Sequence, residues 1–236
     1  MGDSLSRLAK NLSEPLHLHR SRRTLARLHA QETGIEEWID QALLFKGSRR
    51  IKTLQLRTEI RALCNLVAAI EPQRIAEIGT ARGGTLLLWC QMATERVVSC
   101  DLRVRRFVRR LAPSFPPPGG CRVEVVEGDT HSPQVRERLW RDIGRFGLDF
   151  LFIDGDHTAA GVEQDYRDYC GLVRPGGLIA LHDIVEKQTL TTNQVGLFWR
   201  KLLCQADVAE LVEDPGQSGY GIGVVQVPAE GASFPS

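Results

Sequence analysis

The 236-residue sequence has no apolar run of the roughly 18 residues that a membrane span requires. Its start is polar and basic and carries no apolar h-region, which argues against a secretory signal. Metal-finger spacing is also missing. Cys64, Cys90, Cys100, Cys121, Cys170 and Cys204 form no C-x-x-C pair, and most sit in apolar runs. Reduced, buried thiols in a cytoplasmic protein are the expectation. Net charge is nearly absent at +1, so no global field draws in nucleic acid. No internal repeat is visible. What remains is a globular composition, 42% hydrophobic and 25% charged.

Along the chain, residues 1–51 carry helical patterning without strand signals. Leu5, Leu8 and Leu12 share one face, and Ile35, Trp38, Ile39 and Leu43 recur at helical spacing. Arginines 20, 22, 23 and 27, and later 103, 105, 106, 109 and 110, fall into two basic runs, read as solvated helix faces. A helix over 52–70 ends at Pro72. Then the pattern changes. Short β-rich runs at 75–79, 96–101, 122–127, 148–154 and 177–182 alternate with helices near 84–94, 103–111, 133–143 and 160–173. That alternation predicts βαβ units and a parallel sheet. A helix with Val195, Phe198, Trp199 and Leu202 on one side follows. Two runs near 208–213 and 219–227 then predict an antiparallel hairpin at the sheet edge. The expected division is an N-terminal helical segment, 1–51, and an α/β domain, 52–236.

Chemistry-bearing residues gather at strand ends, where open α/β sheets hold ligands. AEIGTARGGT (76–85) places a glycine turn between a strand and a helix N-terminus, which lets a ligand approach the backbone. Glu77 suits a cationic ligand better than the pyrophosphate of a dinucleotide. Asp101, 22 residues after Gly79, is placed to accept ribose hydroxyls. Asp129 suits either an adenine amino group or a helix cap. FIDGDHT (152–158) and LHDI (181–184) bring Asp154, Asp156, His157, His182 and Asp183 to neighbouring strand ends. Such a group can hold a divalent cation or move a proton.

Taken in order, AEIGTARGGT, VSCDL, EGDTH, LDFLFIDGDHTAAGVEQDYRDY and LVRPGGLIALHDI resemble class I S-adenosylmethionine-dependent methyltransferases. The subgroup they are most similar to contains cephalosporin-hydroxylase-like and macrolide O-methyltransferase proteins. The resemblance spans about residues 52–227. It implies a Rossmann-like seven-stranded sheet with the last strand antiparallel and helices on both faces. It also implies cofactor contacts at Glu77, Gly79, Thr80, Gly83, Asp101, Leu102 and Asp129. In metal-dependent members the Asp154 position and the 182–183 pair hold magnesium. Here position 182 is His, which shifts the expectation toward manganese or zinc.

The expected activity is methyl transfer from S-adenosylmethionine to a small-molecule hydroxyl. Two routes are open: a cation on Asp154, His182 and Asp183, or His157 or His182 acting as general base beside Asp154. An NAD(P)-dependent oxidoreductase and a catalytically silent binding protein are the competing readings. No nucleic acid or membrane partner is expected. The N-terminal helices are expected to cover the active-site mouth or to join two copies of the chain, because an amphipathic segment must bury its stripe.

Overall fold

The computed structural model describes residues 2–145, 147–204 and 207–228; the side chains of residues 1–13, among them Leu5, Leu8 and Leu12, lie outside the description. Fifteen elements follow in order: α1 (Gly2–Ala30), α2 (Ile35–Leu43), α3 (Arg57–Ala69), β1 (Arg74–Ile78), α4 (Gly84–Met92), β2 (Arg96–Asp101), α5 (Arg106–Leu111), β3 (Arg122–Glu127), α6 (Pro133–Ile143), β4 (Leu148–Ile153), α7 (Ala159–Tyr169), β5 (Val173–His182), α8 (Val195–Leu203), β6 (Asp207–Leu211) and β7 (Ile222–Gln226).

The strands form one sheet in the order β3-β2-β1-β4-β5-β7-β6. Strands β1 to β5 are parallel. The last strand, β7, inserts antiparallel between β5 and β6. Side-chain alternation explains why helices cover both faces. Along β4, Phe150 and Phe152 join one core, whereas Leu151 and Ile153 join the other. Along β5, Leu178 and Ala180 face the first core and Ile179 and Leu181 the second. Strand neighbours point to opposite faces, so a strand apolar at every position must be sandwiched.

Several boundaries differ from the sequence-based expectation, for local reasons. Strand β5 starts at Val173, not 177. It runs through Gly176 at φ +75, and a register shift against β4 absorbs the irregularity. Helix α5 starts at Arg106 rather than 103. The Asp101 carboxylate takes the Arg103 N–H and Glu127 takes that of Val104, which holds 102–105 as a loop. Of the α5 arginines, Arg106 and Arg110 pair with the nearly buried Glu14 of α1, and Arg109 pairs with Glu127.

The expected border at 51–52 does not separate two cores. Leu18, Leu25, Leu28, Trp38, Ile39, Phe45 and Ile51 lie in the same buried cluster as Leu63, Leu86 and Phe150. His29, without explanation in the sequence, stacks at 5.1 Å on Trp38 and meets the Phe115 carbonyl at 3.1 Å. A chain starting at residue 52 therefore loses at least seven large core side chains. Each such loss costs about 2–5 kcal/mol, against a total stability of about 5–15 kcal/mol. The truncated chain is expected to show no cooperative thermal transition by circular dichroism. A monodisperse product with the full-length midpoint would refute this packing.

Candidate active site

The strand order reverses between β1 and β4, since β2 follows β1 to one side and β4 lies on the other. Loops leaving these strands diverge there and open a crevice. A cavity of about 900 Å³ occupies it, at the C-terminal ends of β1, β2, β4 and β5.

The first wall is the turn after β1. Gly79 has φ +97, and a Cβ there would sit 2.0 Å from the Asp154 carbonyl oxygen, so only glycine fits. Gly79 and Thr80 line the cavity. Asp101 and Leu102 follow from β2. The Asp101 carboxylate is oriented by the Ala81 N–H at 2.7 Å and the Arg103 N–H at 2.8 Å, and carboxylate lone pairs remain for a ligand. Asp129 lines the wall beside Thr130 and His131. It does not cap α6, because the Ser132 hydroxyl does so by accepting the Val135 N–H.

Two residues of the expected cofactor contacts do not line the cavity. Glu77 lies behind the turn, 1% exposed, off the cavity wall. It accepts from Trp89 Nε1 at 3.0 Å and Ser99 Oγ at 2.5 Å, and Thr80 Oγ1 meets the same serine at 2.6 Å. Burial lifts its pKa to about 7, against the pull of hydrogen bonds from Ser99, Thr85 and Trp89. Gly83 is also off the wall. At φ +72 it is the N-cap of α4 and bridges to Lys52. Both residues support the turn; neither faces the cavity.

The adjoining wall, at the ends of β4 and β5, carries the charged group. Asp154 Oδ1 lies 3.3 Å from His157 Nε2 and 3.2 Å from His182 Nδ1. His182 Nδ1 is 3.4 Å from Asp183 Oδ1, and His157 Nδ1 is 3.7 Å from Asp183 Oδ2. Ligand atoms of Asp154, His182 and Asp183 lie within 4.8 Å of one another. Burial pushes the Asp154 carboxyl up, but His182 and His157 outweigh it and hold it at about 2. The bond to Asp154 raises His157 above the usual 6.5, in spite of burial. For His182, burial pulls down, and Asp154 and Asp183 more than offset it. Asp183 adopts φ +66 and Tyr220 φ +63; both line the cavity, as does Ala81 at φ +43. Such conformations persist where surrounding structure over-determines them, as at ligand sites.

Sequence reasoning brought Asp154, His157, His182 and Asp183 together correctly. It missed their supports. Gln55, just before α3, donates to Asp154 Oδ2 at 3.2 Å, and Asn193 donates to Asp183 Oδ2 at 2.6 Å. It also missed Lys52 and Tyr220 on the wall. None has a motif. Among the described residues, none before Lys52 lines the cavity; the segment 52–54 that follows the N-terminal helices does.

This sheet order is that of the Rossmann-like methyltransferase fold. The NAD-type order, 3-2-1-4-5-6, has no antiparallel strand inserted next to β5. Residues 76–184 match the family described as a methyltransferase domain. Among curated proteins, the mycinamicin VI 2''-O-methyltransferase of Micromonospora griseorubida is 25% identical over 167 residues. That match covers 62% of this chain and 39% of the relative, so the chain spans well under half of it. Among solved structures, the O-methyltransferase TomG of Streptomyces achromogenes, in complex with SAM, superposes at TM-score 0.57 and 19% identity, covering 82% of this chain and 89% of that one. The MycE methyltransferase with Mg and SAH superposes at TM-score 0.54 and 17% identity, covering 81% and 54%.

The buried Glu77 yields a pH test. Its folded pKa of about 7 exceeds the ordinary 4.5, so between those values the folded chain binds more protons than the unfolded one. This contribution is present at low pH and is lost as pH rises toward about 7. Glu77→Gln is expected to flatten the fall of the urea midpoint across that window. An unchanged profile would place the titration elsewhere.

Proposed function

We propose that the chain transfers a methyl group from S-adenosylmethionine to a hydroxyl oxygen of a small-molecule acceptor. One observation carries this reading: a single cavity has an oriented ribose-type carboxylate, Asp101, on one side and the Asp154–His157–His182–Asp183 group on the other. S-adenosylmethionine supplies a methyl carbon already activated by its sulfonium. Asp101 receives the ribose hydroxyls, Leu102 covers the adenine and Asp129 takes its amino group. The turn at Gly79 and Thr80 receives the methionine end.

The acceptor oxygen must lose a proton as it attacks. With its Nε2–H donated to Asp154, His157 presents Nδ1 as the proton acceptor. Asp183, 3.7 Å from that nitrogen, stabilises the imidazolium that results. Two carboxylates and an imidazole at this spacing also fit a divalent cation held by Asp154, His182 and Asp183. A cation there supplies Lewis acidity to the acceptor hydroxyl. The imidazole donor favours manganese or zinc over magnesium.

Calorimetry is expected to show binding of S-adenosylmethionine and none of NAD. Asp101→Ala should weaken the former about 10- to 100-fold, the effect of one charged hydrogen bond. Binding of NAD instead would overturn the reading. Incubation with hydroxylated metabolite extracts should yield products heavier by one CH₂ unit. Activity so found is expected to vanish in excess chelator and to return on adding one divalent ion. It should also rise with pH through a value above 6.5, the direction in which His157 is shifted. Full activity in chelator removes the cation and leaves His157 alone as the base.

A further inference from the structure

The cofactor's methionine end carries an ammonium and a carboxylate, yet the cavity wall is rich in acids. Asp101, Asp129, Asp154, Asp156 and Asp183 all line it. These suit the ammonium and the sulfonium. The carboxylate, placed among them, needs a positive partner.

Besides histidines, the wall carries three cations: Lys52, Arg82 and Arg105. Arg82 is committed to the chain, donating to the carbonyls of Arg49 at 2.9 Å and Arg50 at 3.4 Å. Arg105 is exposed, in the loop after Asp101 and Leu102 that leads into α5. Lys52 differs from both. It is half-buried, and among the described residues its ammonium has neither an ion pair nor a hydrogen bond.

Its place is set by the backbone. Lys52 forms a parallel bridge with Gly83, the N-cap of α4. Thr53 N–H is anchored on the Ala42 carbonyl at 2.7 Å. Gly84 permits the crossing, because a Cβ there would sit 2.2 Å from Thr53 N. Lys52 is thereby fixed beside the turn that begins at Gly79. Helix α4 has no side-chain cap and no acid in its first turn, so no side chain of that helix offers this corner an anion. Glu77 is buried behind the turn with its oxygens occupied, and Asp101 directs its carboxylate to the Ala81 and Arg103 N–H groups.

We infer that Lys52 is the counter-ion of the cofactor's α-carboxylate. The inference rests on the S-adenosylmethionine reading and assigns a cofactor contact outside the matched residues 76–184. Lys52 thus orients the methionine arm, with its carboxylate toward α4 and its sulfonium toward Asp154 and His157.

The test compares two ligands by calorimetry. S-adenosylhomocysteine carries the carboxylate; 5′-methylthioadenosine shares the adenosine and the thioether but lacks the amino-acid arm. Lys52→Met is expected to raise the Kd for S-adenosylhomocysteine about 10- to 100-fold and to leave that for 5′-methylthioadenosine within about twofold. Lys52→Arg, which keeps the charge, is expected to restore most of the loss, and its thermal midpoint reports folding independently. Equal weakening of both ligands, or of neither, overturns the assignment while the cofactor reading stands. A wild-type chain that binds neither ligand overturns both.

Discussion

A close backbone approach at the end of the sheet governs the site. Gly79 ends β1 against the carbonyl of Asp154 at the end of β4, where no side chain fits. Two hydrogen bonds staple the junction: Asp154 N–H to Ile78 O and Gly79 N–H to Cys100 O, each at 2.8 Å. The ends of β1, β2 and β4 thus form one rigid corner. The turn proposed to receive the cofactor and the carboxylate proposed to organise the acceptor are neighbours through backbone contact. Methyl transfer demands this, because a displacement of about 1 Å can cost a hundredfold in rate.

Around that corner the charges are sorted by depth. Glu77 sits behind the turn and is engaged by Trp89 and Ser99, so it supports the loop as a largely internal group. Asp154 sits at the cavity with two imidazoles near it, and their positive character keeps it ionised. Two carboxyls at the ends of adjacent strands, 77 residues apart in sequence, thus acquire opposite protonation tendencies. Solvation and partners decide this, since the intrinsic chemistry of the two is nearly the same. The hairpin end contributes by a longer route. Glu59 of α3 accepts from the N–H groups of Glu213 and Gly221 and from the Gln217 side chain, which fixes the loop presenting Tyr220.

The α1–α2 region shows how an extension becomes part of a domain. Its apolar stripe fills the same core as α3, α4 and the sheet. Its acid, Glu14, gathers Arg106 and Arg110 of α5 and lies 3.9 Å from Arg50. A periodic stripe in sequence says only that a helix must be buried. It does not say against what, so a cap, an oligomer contact and a core layer all read alike.

Much of the fold was legible from local pattern. The alternation of β-rich runs and amphipathic helices, and the strand–turn–strand ending, follow from side-chain periodicity, which each segment carries by itself. Asp154, His157, His182 and Asp183 were legible as a group because strand ends in a parallel sheet converge, whatever the intervening sequence. Only tertiary structure decided the rest. Whether Glu77 faces ligand or core depends on one strand's pleat against Trp89. Whether Lys52, Gln55 and Asn193 touch the site depends on where irregular chain crosses the sheet edge. These are long-range contacts between segments without motifs, set by packing at single atoms such as the missing Cβ of Gly79 and Gly84, and periodicity does not encode them.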